Sequence, residues 1–235
     1  VKIWNATRAA GAVLALSLGV SACGGGSEDE RPAFAGAEKV CDGILSDGTA
    51  RAVETVVGDK TFHGTGDDAL ENTASAVKEF YAEDPGGRKY VGSKKFCAFS
   101  GRMREAGSLE ISFGIYRPDD ALGTDHAEDQ RLYRLGKRAL AGSERSSLYF
   151  ECVSPQIDGS DGQPTRIYAN SRLANIGSWE VEDTRATREA HLTVLHAAAL
   201  AVAKELGCEN NGGLPEKVVL EPLADPVEPS GAPAT

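Results

Sequence analysis

The clearest pattern in the chain is a strict alternation at 109–116. Leu109, Ile111, Phe113 and Ile115 fall on one side, and Glu110, Ser112, Gly114 and Tyr116 on the other. Such a period of two predicts a half-buried strand. The phase recurs at 148–153, where Leu148, Phe150 and Cys152 point inward, and more weakly at Ile167 and Ala169. Phe96, Cys97 and Phe99 predict a strand over 94–100, and another is expected near 132–140. Helical spacing marks three further segments. The first covers 42–57, with Ile44, Leu45, Ala52, Val53, Val56 and Val57 on its apolar side. The second covers 68–82, capped by Asp67 or Asp68 and closed by Pro85-Gly86-Gly87. The third runs over 185–206 and is apolar nearly all round at 197–203, which predicts deep burial. Gly207 stops it and places Cys208 just beyond its end. The expected fold class is α+β, an antiparallel β-sheet meander packed by N-terminal helices and a long C-terminal helix. One domain is expected over 38–221, with no internal repeat.

The N-terminus follows a different logic. Lys2 and Arg8 precede an apolar run at 9–20. That run is about 12 residues long, and a membrane span needs roughly 20. Its length and basic flank suit a secretory signal. The run ends Val20-Ser21-Ala22-Cys23, which closely resembles the lipobox read by lipoprotein signal peptidase. The resemblance implies a signal peptide over 1–22, a diacylglyceryl group on the Cys23 sulfur, and cleavage just before that residue. The protein would then sit on the extracytoplasmic side of a cell membrane, held by its lipid. Two acyl chains matter here, because one gives only marginal attachment. Residues 23–37 carry Gly24-Gly25-Gly26-Ser27 and then acids, and read as a flexible tether with a mean reach of about 20 Å. The tail over 222–235, with Pro226, Pro229 and Pro233 among small residues, reads as disordered.

Composition narrows the function. The 235 residues are 41% hydrophobic, enough for one core, and only 6% aromatic, so Leu, Val, Ile and Ala must fill it. There are 25 basic and 35 acidic residues. Removing 1–22, which holds Lys2, Arg8 and no acid, leaves 23 against 35, a net charge of −12. Such a surface repels polyanions, so nucleic acid is not an expected partner.

An exported chain matures where disulfides persist. With Cys23 lipidated, Cys41, Cys97, Cys152 and Cys208 remain, an even set. Four cysteines allow three connectivities. We favour Cys41–Cys97 and Cys152–Cys208, because each staples a helix-side cysteine to a predicted strand in its own half of the chain. Each loop of about 57 residues would be worth roughly 4 kcal/mol on the chain-entropy view. No pair has zinc-ligand spacing, and no C-x-x-C is present.

No constellation names a reaction. The chain lacks G-x-S-x-G, G-x-x-x-x-G-K-[ST] and H-E-x-x-H. His191 and His196 share a helix but lie about 140° apart at five residues' spacing, so they do not make a metal pair. His196 is expected at the core edge, His191 at the surface or as a cap, and His63 and His126 in surface loops. The loop at 158–162 fails the calcium-loop pattern at Gln163 and Ala169 and reads as a turn. The acids at 117–131 read as a solvated loop. No cofactor and no metal are expected. The strongest binding candidates are basic residues in an acidic chain. Arg88, Lys89, Lys94, Lys95, Arg102 and Arg104 would form an anion-binding island if a hairpin gathers them, and Arg131, Arg134, Lys137 and Arg138 form a second run.

Beyond the lipobox, the phrases Val40-Cys41-Asp42-Gly43-Ile44-Leu45, Leu195-His196-Ala197 and Leu206-Gly207-Cys208 resemble an uncharacterised family of small actinobacterial lipoproteins. That resemblance implies a surface-exposed domain, with a helix-layered sheet of the Mog1/PsbP-like kind as a candidate architecture. It implies no activity. The leading expectation is a non-catalytic binding or accessory lipoprotein for a cell-envelope ligand or a membrane protein. The alternatives are an envelope hydrolase with an unrecognised acid pair, and a passive envelope spacer.

Overall fold

The computed structural model describes residues 34–45, 48–65, 68–87, 92–103, 105–121, 127–174 and 181–223. All of them fall in one compact unit, Pro32–Thr235. The lipobox, Arg88, Lys89, Arg104, His126 and the tail beyond 223 lie outside the described residues.

The architecture is α+β. Seven antiparallel strands form one sheet: β1 (Phe62–Thr65), β2 (Lys94–Gly101), β3 (Ser108–Ile115), β4 (Gln130–Tyr133), β5 (Arg138–Gly142), β6 (Arg145–Cys152) and β7 (Thr165–Ala174). Their spatial order is β1-β2-β3-β7-β6-β5-β4. The sheet is therefore two meanders, β1 to β3 and β4 to β7, joined where β3 pairs with β7. Helices α1 (Ala50–Val57), α2 (Ala69–Glu83) and α3 (Arg185–Glu205) complete the layer.

The alternation at 109–116 places Leu109, Ile111, Phe113 and Ile115 in the core, as expected. Helix α2, with Val77, packs over β2 and β3, and α3, with Leu192, Leu195, Ala199 and Val202, packs over β5, β6 and β7; all five residues are without solvent exposure. Helix α3 starts in a capping box between Thr184 and Thr187. It ends in a Schellman pattern, with Gly207 left-handed and the Cys208 N–H donating to Ala203 O. Both disulfides form as favoured, Cys41–Cys97 with Cα atoms 5.6 Å apart and Cys152–Cys208 with 5.0 Å.

Four expectations need correction. The first α-helix is 50–57, not 42–57, because Cys41, Asp42 and Gly43 all adopt positive φ and cannot start a right-handed helix. Asp68 does not cap α2 through its side chain; the Ala69 N–H is instead accepted by Asp42 Oδ2 at 2.8 Å. The segment near 132–140 is a hairpin of two strands, turned at Gly136. The ordered domain also exceeds 38–221 at both ends. Ala35 exchanges two backbone hydrogen bonds with Phe62 on the β1 edge, and Leu223 N–H donates to Leu132 O on the β4 edge. The first residues beyond each expected boundary thus cover the sheet edges that would otherwise stay unpaired.

Candidate functional site

The three α-helices pack on one face of the sheet, and the other face carries the polar half of each alternation. From β6 it presents Arg145, Ser147, Tyr149 and Glu151; from β7, Arg172, Asn170, Tyr168 and Arg166. The register pairs these as Arg145 with Arg172, Ser147 with Asn170, Tyr149 with Tyr168, and Glu151 with Arg166. Four rungs of different chemistry thus run along the middle of the sheet. A concavity of about 630 Å³ opens over Ser147, between Arg145 and Arg172 at one end and Tyr149 and Tyr168 at the other. Leu140 of β5 lies on its floor, and Asp129 and Glu144 stand on its rim.

The middle rung is held by its own hydrogen bonds. Asn170 Nδ2 donates to Ser147 Oγ at 3.2 Å and to Ser146 O at 3.3 Å, and Ser147 Oγ lies 3.3 Å from the Tyr168 hydroxyl. The aromatic rung extends into a ladder: Tyr168 lies 4.8 Å from Tyr149, which meets Tyr116 edge-on at 5.2 Å. The Arg138 guanidinium sits over Tyr149 at 5.9 Å and donates to Asp120 O. Burial pushes the Tyr116 phenol well above its usual range, so it stays protonated at physiological pH. The last rung is neutralised internally, with Lys137 2.6 Å and Arg166 3.9 Å from the Glu151 carboxylate.

The first rung is not neutralised. Arg145 and Arg172 are both exposed and directly opposed, and among the described residues neither forms an ion pair. Glu110 flanks Arg172 from β3, but its carboxylate is engaged by Lys95 at 2.9 Å. Like charges directly opposite on neighbouring strands are destabilising. The open face therefore holds unneutralised positive charge at one end and a cluster of tilted and edge-on phenols at the other.

Of the expected basic island only Lys94, Lys95 and Arg102 are among the described residues, and these three are not gathered in this way. Lys94 and Lys95 are successive on β2 and point to opposite faces, and Lys95 is committed to Glu110. Arg102 lies past the other end of β2, over the ring of Phe34. The second basic run is paired off: Arg134 with Glu221 at 3.5 Å, Lys137 with Glu151, Arg138 with Asp120 O and Arg131 with Glu128 O. The loop around Asp158 is a turn, as expected, pinned by hydrogen bonds between Ser154 and Ser160.

The two helix histidines behave differently from the expectation for one of them. His196 is nearly buried, as a core-edge residue should be, but His191 is fully buried rather than at the surface. Its Nδ1 lies 3.2 Å from Gly142 O and 3.1 Å from Ser143 O, so that nitrogen carries the hydrogen. Its Nε2 has no partner. Burial lowers the pKa to about 4, which fixes the ring as neutral. His191 is on the helical side of the sheet and does not reach the groove. Among the described residues no cluster of three or more His, Cys, Asp or Glu could hold a metal, and no helix is long and apolar enough to cross a membrane.

The residues of the groove were not singled out from the sequence. Arg145 and Arg172 stand 27 positions apart, and only the β6–β7 register makes them neighbours. The one available signal was the polar half of the alternation at 145–151. Among the described residues, the fold and the groove define a disulfide-stapled α+β domain with one polar sheet face that no helix covers. No family model, no curated protein and no solved structure matches the chain.

Proposed function

We propose that this chain is a membrane-anchored extracytoplasmic lipoprotein that acts as a non-catalytic binding module, and that its ligand surface is the open face of the sheet. The observation that carries the binding reading is the groove over Arg145, Ser147, Tyr149, Tyr168 and Arg172. It combines concavity, hydrogen-bonding side chains, unneutralised charge and aromatic faces, the usual components of a ligand site. The anchor reading is supported by Lys2, Arg8, the apolar run at 9–20 and the Val20–Cys23 motif. Two disulfides in one domain suit an oxidising compartment.

The groove favours binding over hydrolysis. A hydrolase needs a proton donor and acceptor within reach of a reacting bond. The two histidines with displaced pKa values, His191 and His196, are both buried on α3 at the other side of the sheet, away from any ligand in the groove.

The test is crosslinking in intact cells. A photoreactive residue replaces Ala174 on the groove rim, and a control replaces exposed Glu79 on α2. Position 174 should give a discrete adduct that position 79 does not. Equal labelling from both positions, or none from 174, would refute the open face as the binding surface. In the same cells Cys23→Ala should release the protein from the membrane fraction, and retention with unchanged mobility would refute the anchor.

A further inference from the structure

We propose that the groove takes an acidic saccharide, with its phosphate or carboxylate group between Arg145 and Arg172 and its ring against Tyr149 and Tyr168. This rests on the open face being the ligand surface and names the ligand class.

The charge argument comes first. In a chain with 35 acidic and 25 basic residues, nearly every described cation near this face has an anionic or carbonyl partner. Arg145 and Arg172 do not, and their Cβ atoms stand about 5 Å apart as directly opposed residues. Two guanidinium forks at that separation present paired donors to one tetrahedral or planar oxyanion. A bound anion would turn a repulsive rung into an attractive one.

The second argument is spacing. Tyr149 lies four residues along β6 from Arg145, and Tyr168 four along β7 from Arg172. That separates the aromatic and cationic rungs by about 13 Å at the strand backbone. A bare ion would use only one end of the groove. A ring with an acid substituent uses both, placing an apolar sugar face on a phenol and its hydroxyls over Ser147. The carboxylate of Asp129 on the rim offers an acceptor for a further hydroxyl. Rim acids also disfavour a ligand that is anionic along its whole length, so one acid group per binding unit fits best.

The experiment is calorimetric titration of the full chain in detergent with four probes: glucose 6-phosphate, glucuronate, glucose and inorganic phosphate. At least one acidic sugar should bind one to one, about tenfold or more tighter than glucose and than phosphate. Preference for glucose 6-phosphate would assign a phosphosugar, and preference for glucuronate a uronic acid. Arg145→Gln and Arg172→Gln should each weaken that binding about tenfold or more. Tyr168→Ala should weaken the sugar and leave phosphate unchanged. Without ligand at low salt, Arg145→Gln should raise the Tm by roughly 1–4 °C through relief of repulsion, whereas loss of a structural contact would lower it. The proposal fails if neither acidic sugar binds better than glucose, if phosphate alone binds as tightly, or if the arginine variants bind unchanged. A crosslink from position 174 without acidic-sugar binding would overturn this ligand class and leave the open face as a binding surface. Loss of both would overturn both.

Discussion

Protonating His191 should cost this domain a measurable part of its stability in mild acid. The ring is fully buried between α3 and the β5–β6 turn, with Nδ1–H shared by Gly142 O and Ser143 O and Nε2 facing no partner. A second proton would place an unpaired N–H and a charge in the core. Desolvation lowers the folded-state pKa from 6.5 to about 4, the carbonyl contacts opposing it only in part. The sign follows from proton binding. Between these values the unfolded chain binds the proton and the folded one does not, so stability rises with pH. The contribution is full above about pH 6.5 and is lost as pH falls toward 4. The whole shift is worth about 3 kcal/mol, of which about 2 kcal/mol disappears between about pH 7.5 and pH 5. His196, whose pKa burial also lowers, adds to the loss in the same direction. Urea unfolding at the two pH values measures the difference. His191→Asn keeps a donor near the two carbonyls and cannot titrate, so its loss should be smaller than the wild-type loss by about 2 kcal/mol. Equal losses in the two proteins would refute the assignment of the shift to His191.

Two further outcomes test the packing. Replacing Cys152 and Cys208 together by serine should cost about 4 kcal/mol in urea unfolding, since the bridge closes a loop with a sequence separation of 56. Asp42→Ala should destabilise by about 1 kcal/mol or more, because the cap on α2 comes from its carboxylate and alanine fits its left-handed backbone poorly. Asp68→Gly should be neutral or mildly stabilising, because Asp68 is left-handed and makes no side-chain cap bond.

What the sequence made legible was whatever a local period encodes. The alternation of Leu109, Ile111, Phe113 and Ile115 gave β3 in the right phase, and the apolar run around Leu200 gave α3 with its Gly207 stop. The cysteine pairing, favoured among three because each bridge joins a helix-side cysteine to a strand in its own half, is the one that forms, with Cys152 buried in β6 near Phe150. Strand β1 was missed because four residues, Phe62-His63-Gly64-Thr65, contain too little pattern to show. The start of α1 was misplaced because left-handed geometry at Cys41 and Asp42 is set by tertiary context: the disulfide to β2 and the cap given to α2. The groove was hidden for a related reason. Its chemistry resides in cross-strand pairs, and neither Arg145 nor Tyr168 is unusual until β6 and β7 are placed in register. Those of the sequence-clustered basic residues that are described are dispersed or neutralised in space, as Lys94 and Lys95 show.

The most direct test of the open face as a binding surface is amide hydrogen exchange of the full chain, with and without soluble saccharide fragments from enzymatically digested cell wall. Binding in the groove should slow exchange in peptides covering β6 and β7, at 145–149 and 168–172, and leave the α2 and α3 peptides unchanged. Slowing confined to the helical side of the sheet would contradict the open face as the binding surface, and no slowing anywhere would contradict a saccharide as its ligand.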